Sequence, residues 1–178
     1  MSKSWGNPTW FFFHTLIEKI HPDHYLLIKH ELLGNIKNIC SILPCPDCAN
    51  HATQYMNLIK QPPPDKEGFK KMLYTFHNSV NQRTRKPLFQ YEAMEMYSRV
   101  NFSVCYQLFR KEFVKKTYNP RMLMDSMNRV NYIKQLDEWL IQNKLLNVYV
   151  SQHVPPATLP SQFKSFQYNR FSGFPGKI

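Results

Sequence analysis

The sequence predicts an all-α chain, and three observations carry that reading. Apolar residues recur at helical spacing through six successive segments, the pattern that lines one face of a helix. Prolines at 62–64, 87 and 120 fall between those segments, where their rings end helices without breaking one. No alternating run is long enough to build a sheet, and no internal repeat occurs.

The first helix is expected over residues 8–20, with Pro8 near its start. Its stripe is Trp10, Phe13, His14, Ile17 and His21. Trp10 and His14 lie one turn apart. They either present an indole and an imidazole to one ligand or form a core tryptophan beside a satisfied histidine. The second helix is expected over residues 24–42, with Leu32, Ile36, Ile39, Cys40 and Leu43 on its buried side. Gly34 lowers its stability somewhat or permits close packing. Cys40 reads as a buried, inert thiol. The third helix runs from Pro46 to about residue 60. The fourth begins near Asp65, a plausible cap, and continues to about residue 83 with Phe69, Met72, Leu73, Phe76, His77 and Val80 on one side. Asn81 is one turn beyond His77, and Asn78 adjoins it. Arg83, Arg85 and Lys86 follow; they suit a helix C-terminus, and equally a diphosphate held there.

A fifth helix is expected over residues 91–116, with Met94, Phe102, Cys105, Phe109 and Phe113 inward. A sixth, over about 121–146, carries Leu123, Met127, Val130, Ile133 and Leu140 inward. Residues 151–178 hold five aromatics, too many for a plain disordered tail, and read as a wrap.

The totals bound the rest. A chain of 178 residues, 43% hydrophobic and 15% aromatic, suffices for one domain with an extension, divided here as 1–114 and 115–178. Four cysteines are too few for a disulfide scaffold. The start lacks an apolar stretch of signal type, and nothing approaches membrane-spanning length, so a cytoplasmic protein is expected. The net charge of +11 suggests acidic partners, and it is most lopsided in 115–178, with nine basic residues against three acidic. Neither an RNA-binding signature nor a helix-turn-helix is visible, so no nucleic acid is expected.

The segment Leu43-Pro44-Cys45-Pro46-Asp47-Cys48-Ala49-Asn50-His51 carries the chemistry. Pro46 suits a first helical position, which puts Cys45 near an N-cap and Cys48 in the first turn. The thiols then face the positive end of the helix dipole, which favours thiolate, and Asp47 opposes this a little. Such a dithiol is a redox centre, half of a metal site, or structural. An all-α chain disfavours the thioredoxin setting, where the motif joins a strand to a helix. A dithiol gives up two electrons together, oxygen accepts them poorly unaided, and a flavin is the natural intermediary. Trp10 and His14, with His77, Asn78, Asn81 and Lys86, would supply flat surfaces for its rings and a polar end for its phosphates.

Gly6-x-x-x-Trp10-x-x-x-His14, Cys45-x-x-Cys48, His77-Asn78-x-Val80-Asn81 and Lys86-Pro87, in this order, resemble the FAD-linked sulfhydryl oxidases of the Erv/ALR type over about residues 4–110. The compact form most resembles those of large cytoplasmic DNA viruses, which act in host cytoplasm or in the virion. The resemblance implies a four-helix bundle plus a short fifth helix cradling FAD, usually as a homodimer. It implies that Cys45 is attacked by substrate thiolate and that Cys48 passes electrons to FAD, then to oxygen, giving hydrogen peroxide. Gly6, Trp10, His14, Cys48, His77, Asn78, Val80, Asn81 and Lys86 would line the cofactor site. His51, one turn on, would influence thiolate formation. The partners implied are thiol proteins or a thioredoxin-like relay, because the shuttle dithiol and the second structural pair of cellular members are missing. The competing class is a zinc-binding helical module using Cys45, Cys48, His51 and either His14 or His77.

Overall fold

The computed structural model describes residues 4–115 and 123–146, and the readings made for 116–122 and 147–178 lie outside them. Every regular element among the described residues is helical: α1 (Gly6–Lys19), α2 (Pro22–Ser41), α3 (Pro46–Leu58), α4 (Lys66–Arg83), a 3-10 helix (Tyr91–Arg99), α5 (Phe102–Phe113) and α6 (Leu123–Gln142). None of these helices is long and apolar enough to cross a membrane.

Helix α1 is the centre of the fold. Phe12, Phe13, Leu16 and Ile17 are buried along it. Phe12 stacks on Phe109 of α5 at 4.5 Å, and the Cys105 thiol of α5 reaches Thr15 Oγ1 at 3.7 Å. Later residues of α5 thus meet earlier residues of α1, so the two run antiparallel. On its other side α1 lies antiparallel to α4: Trp10 meets Phe76 and His77, and Glu18 pairs with Lys70 at 2.9 Å. The Glu18 carbonyl accepts from Lys66 Nζ at 2.8 Å, so a cation sits on the negative end of α1.

Helix ends follow the local chemistry. Asp65 caps α4 by accepting the Gly68 N–H at 2.7 Å. His21, placed by spacing on the first helix, instead precedes α2 as its N-cap and accepts the Asp23 N–H. The expected fifth helix is two elements. Val100 is extended, and Asn101 caps α5 through the Val104 N–H at 3.2 Å; a side chain that satisfies the first turn of a helix starts one there. Cys40 and Cys105 are buried thiols with pKa values pushed up by burial, that of Cys105 to about 12. A Cβ on Gly34 would meet nothing within 4 Å, so close packing does not explain that glycine.

Helix α6 runs antiparallel to α2, since Asn143 meets His24, Trp139 meets Glu31 and Tyr132 meets Asn35. It also touches α5, where Asp137 accepts from Tyr106 at 2.7 Å and pairs with Arg110 at 3.3 Å. Its buried face is Ser126, Arg129, Tyr132, Ile133, Leu136, Asp137 and Leu140. Met127 and Val130, expected inward, are 55% and 43% exposed. The buried face carries Ser126, Arg129 and Asp137, so apolar spacing pointed to the wrong side at the start of this helix.

Candidate functional site

Cys45 is the N-cap of α3, and its sulfur accepts the N–H of Cys48 at 3.4 Å. Pro46 is the first helical residue, where no N–H is needed. A donor and the positive helix end converge on the Cys45 sulfur, which stabilises negative charge there. Both cysteines are half-buried. Helix α3 lies antiparallel to α4: Tyr55 stacks on Phe76 at 4.8 Å, while His51, a turn nearer the dithiol, feels the charge of Arg83. The dithiol therefore sits at the end of the bundle that carries Arg83, Arg85 and Lys86.

The second part of the site is a stack of rings between α1 and α4. Trp10 lies parallel to His77 at 4.1 Å with 10° between planes, and His14 Nε2 meets His77 Nδ1 at 3.1 Å. Phe89 and Tyr97 close the other side, 5.7 Å and 4.9 Å from the His14 ring. Each such pair adds about 0.5–1.5 kcal/mol beyond its buried area. Burial holds the His14 imidazole well below the usual pKa, and the neighbouring His77 adds to this. Burial, with Lys86 nearby, pushes His77 down to about 3. Both rings are therefore neutral, and one proton lies between Nε2 and Nδ1. His14 is 0% exposed, and its Nδ1 has no hydrogen-bond partner.

The expected FAD-lining residues fall into distinct places. Trp10, His14 and His77 form the stack. Asn78 donates to the Phe89 carbonyl at 2.9 Å and accepts the Phe89 N–H at 2.8 Å, so it fixes the loop that carries Phe89. Asn81 is buried, and its carbonyl accepts the Lys86 N–H at 2.8 Å. Arg85 takes a left-handed φ of 54°, which reverses the chain after α4 and leaves Lys86 exposed. Val80 is half-buried, and Gly6 opens α1, where a Cβ would meet nothing within 4 Å.

His14 and His77 face each other instead of joining the cysteines. Among the described residues no group of three or more His, Cys, Asp or Glu side chains is placed to hold a metal ion, so the zinc arrangement finds no support. Sequence reasoning did not single out Tyr55, Phe89 or Tyr97, and it read Phe76 only as part of the apolar stripe of the fourth helix. Phe76 and Tyr55 connect the dithiol helix to Trp10, with Trp10 and Phe76 at 5.1 Å. The only signal for Phe89 and Tyr97 was their aromaticity close after the Lys86-Pro87 turn.

Comparison with known proteins adds a second line. The Erv1 / Alr family matches residues 7–101. The chain is 36% identical over 93 residues to the protein named Putative FAD-linked sulfhydryl oxidase 347L of Invertebrate iridescent virus 6, across 47% of this chain and 82% of that relative. It is 29% identical over 103 residues to Putative FAD-linked sulfhydryl oxidase 096R of Invertebrate iridescent virus 3, across 56% of this chain and 69% of the relative. No solved structure gives a significant match.

Proposed function

The chain belongs to the Erv1 / Alr family and is an FAD-dependent thiol oxidase, and we propose that Cys45 and Cys48 are its redox pair. The observation that carries this reading is the Cys45 sulfur at the head of α3 with the Cys48 N–H aimed at it. When bound, FAD supplies a two-electron acceptor that oxygen reoxidises.

The residues present fit such a group. The Trp10 and His77 rings offer parallel flat surfaces, the buried His14 Nδ1 lacks a partner, and Arg83, Arg85 and Lys86 offer charge for phosphates. Gly6, Val80, Asn81 and Lys86 complete the proposed lining, with Asn78 acting through the Phe89 loop and Cys48 as the cysteine nearest the cofactor.

In the proposed cycle a substrate thiolate attacks the Cys45 sulfur of an oxidised Cys45–Cys48 pair. A substrate–Cys45 bond forms, the Cys45–Cys48 bond breaks, and Cys48 leaves as thiolate. A second substrate thiolate then displaces Cys45, so the substrate departs as a disulfide. The Cys48 N–H stabilises the Cys45 thiolate as it leaves. His51 stands one turn from Cys48; burial, together with the Arg83 charge that it feels, keeps its imidazole neutral, and that charge adds positive potential on this side of the dithiol.

The substrates are thiols and the terminal acceptor is oxygen; a thioredoxin-like relay protein is the finer proposal. A homodimer and a cytoplasmic setting are proposed with it. Exposed Leu26 and Leu27 on α2 offer apolar surface for the dimer. The unit at 1–114 is proposed as the oxidase proper, with 115–178 as an extension on it.

The test is spectroscopic. The purified protein is expected to show a flavin band that a dithiol bleaches and air restores. Cys45→Ser and Cys48→Ser are expected to keep the band and lose at least about 100-fold in turnover, since each removes half of the exchanging pair. A colourless protein, or a Cys48→Ser variant with normal turnover, overturns the assignment.

A further inference from the structure

We propose that Arg129, Ser126 and the first turn of α6 form a binding site for an oxyanion, a phosphate or a carboxylate, that no acidic side chain of this chain supplies. Arg129 is 0% exposed, the largest fully buried side chain among the described residues. Its Nη2 donates to Ser126 Oγ at 2.9 Å, while Nε and Nη1 have no hydrogen-bond partner. A buried guanidinium with two idle donors bears a desolvation cost that one hydrogen bond offsets only in part. A planar fork of N–H groups is matched by two oxygens of an oxyanion.

Among the described residues, which include all twelve acidic side chains, no side chain forms an ion pair with Arg129. Asp137, on the same buried face, is taken by Tyr106 and Arg110. Asp125, one turn earlier, is exposed and influences Arg129 only through space.

The fold adds positive potential. Side chains on a helix lean toward its N-terminus, and the bond to Ser126 shows that Arg129 does so. Its guanidinium therefore lies toward the positive end of a 20-residue helix. Met124 and Asp125 on the outer side of this first turn are exposed.

Position suggests what the oxyanion belongs to. Tyr132 is level with Asn35 of α2, and Arg129 lies about 4.5 Å further along, toward the last turn of α2. Residues 42–44 lead from that turn directly to Cys45. The site and the dithiol thus share one end of the molecule. The oxyanion is either free phosphate or a carboxylate near the cysteines of a substrate. The second source rests on the thiol-oxidase reading; the first does not.

The experiment has two arms on the full-length flavoprotein. In the first, thermal unfolding is followed in sodium phosphate and in sodium chloride at equal ionic strength. Phosphate is expected to raise the wild-type midpoint by a few degrees, to leave Arg129→Met unmoved, and to act on Asp125→Asn at least as strongly as on wild type. In the second, two reduced dithiol peptides are compared that differ only by Glu or Gln beside the cysteines. A roughly tenfold preference in kcat/KM for the Glu peptide, lost in Arg129→Met, assigns the site to substrate recognition.

A phosphate response alone assigns it to a small ion. If Arg129→Met does not fold, wild type against Ser126→Ala carries the first arm. No response in either arm overturns the proposal. So does an Asp125→Asn variant that melts well below wild type in chloride, because Asp125 is then the counter-ion. Failure of the wild type to oxidise either peptide refutes the oxidase reading and leaves the first arm standing.

Discussion

His14 Nε2 and His77 Nδ1 lie 3.1 Å apart with one proton between them, and burial keeps both rings neutral. Their folded pKa values are depressed below the unfolded value near 6.5, that of His77 to about 3. The unfolded chain therefore binds more protons than the folded one between those limits. Their contribution to stability is fully present above pH 6.5 and is lost as pH falls toward 3. On titration from pH 7 to pH 4 the unfolding free energy is expected to fall by on the order of 1 kcal/mol per pH unit for each group that charges, and the thermal midpoint falls with it. A His77→Gln variant should show a shallower fall over the same range; an identical slope would mean that other groups govern acid sensitivity. At this scale much was legible. Trp10 and His14, and His77 and Asn81, declare shared faces by spacing. Phe89 and Tyr97 do not, because they join the stack through a turn and a 3-10 helix that no periodicity encodes. Asn78 has the right residue type, yet its amide serves the Phe89 backbone, which only the folded loop reveals.

Among the elements, those with a continuous apolar stripe were read to within about two residues at most ends. The failures share a cause. Tyr91–Arg99 and α5 have inward residues that keep helical spacing across the break, so the pattern continues although the helix stops at Val100 and Asn101. At the start of α6 the face toward the core carries Ser126 and Arg129, and Met127 and Val130 face outward. Apolar content points to the core only where polar residues are not the ones buried. Gly34 gives a clean test of element-level reasoning. It lies within α2 and borders open space, so only helix propensity opposes it. Gly34→Ala is expected to stabilise the fold by about 0.5–1 kcal/mol in denaturant titrations. Destabilisation would reveal a close neighbour at that position, a second copy of the chain being one.

For the molecule as a whole, the question is whether α6 and the dithiol bundle unfold together. The family match ends at residue 101, so α6 lies beyond it. Yet Ile133, Leu136, Leu140 and Leu146 belong to the same buried cluster as Phe12, Phe13 and Ile36. Polar contacts also hold α6 to α2 and α5 at four levels, from His24 with Asn143 to Tyr132 with Asn35. Helix α6 therefore covers apolar surface of the bundle, and weakening it must be felt at the Trp10–His77 stack through α5 and α1. Leu140 is fully buried, and Leu140→Ala is expected to cost about 2–5 kcal/mol. The decisive readout pairs two probes, far-UV circular dichroism for the helices and flavin fluorescence for release of FAD. One cooperative unit requires both midpoints to fall by the same amount. If α6 melts first while flavin release stays at the wild-type temperature, the bundle is stable without it, and α6 is an addition outside the cooperative core.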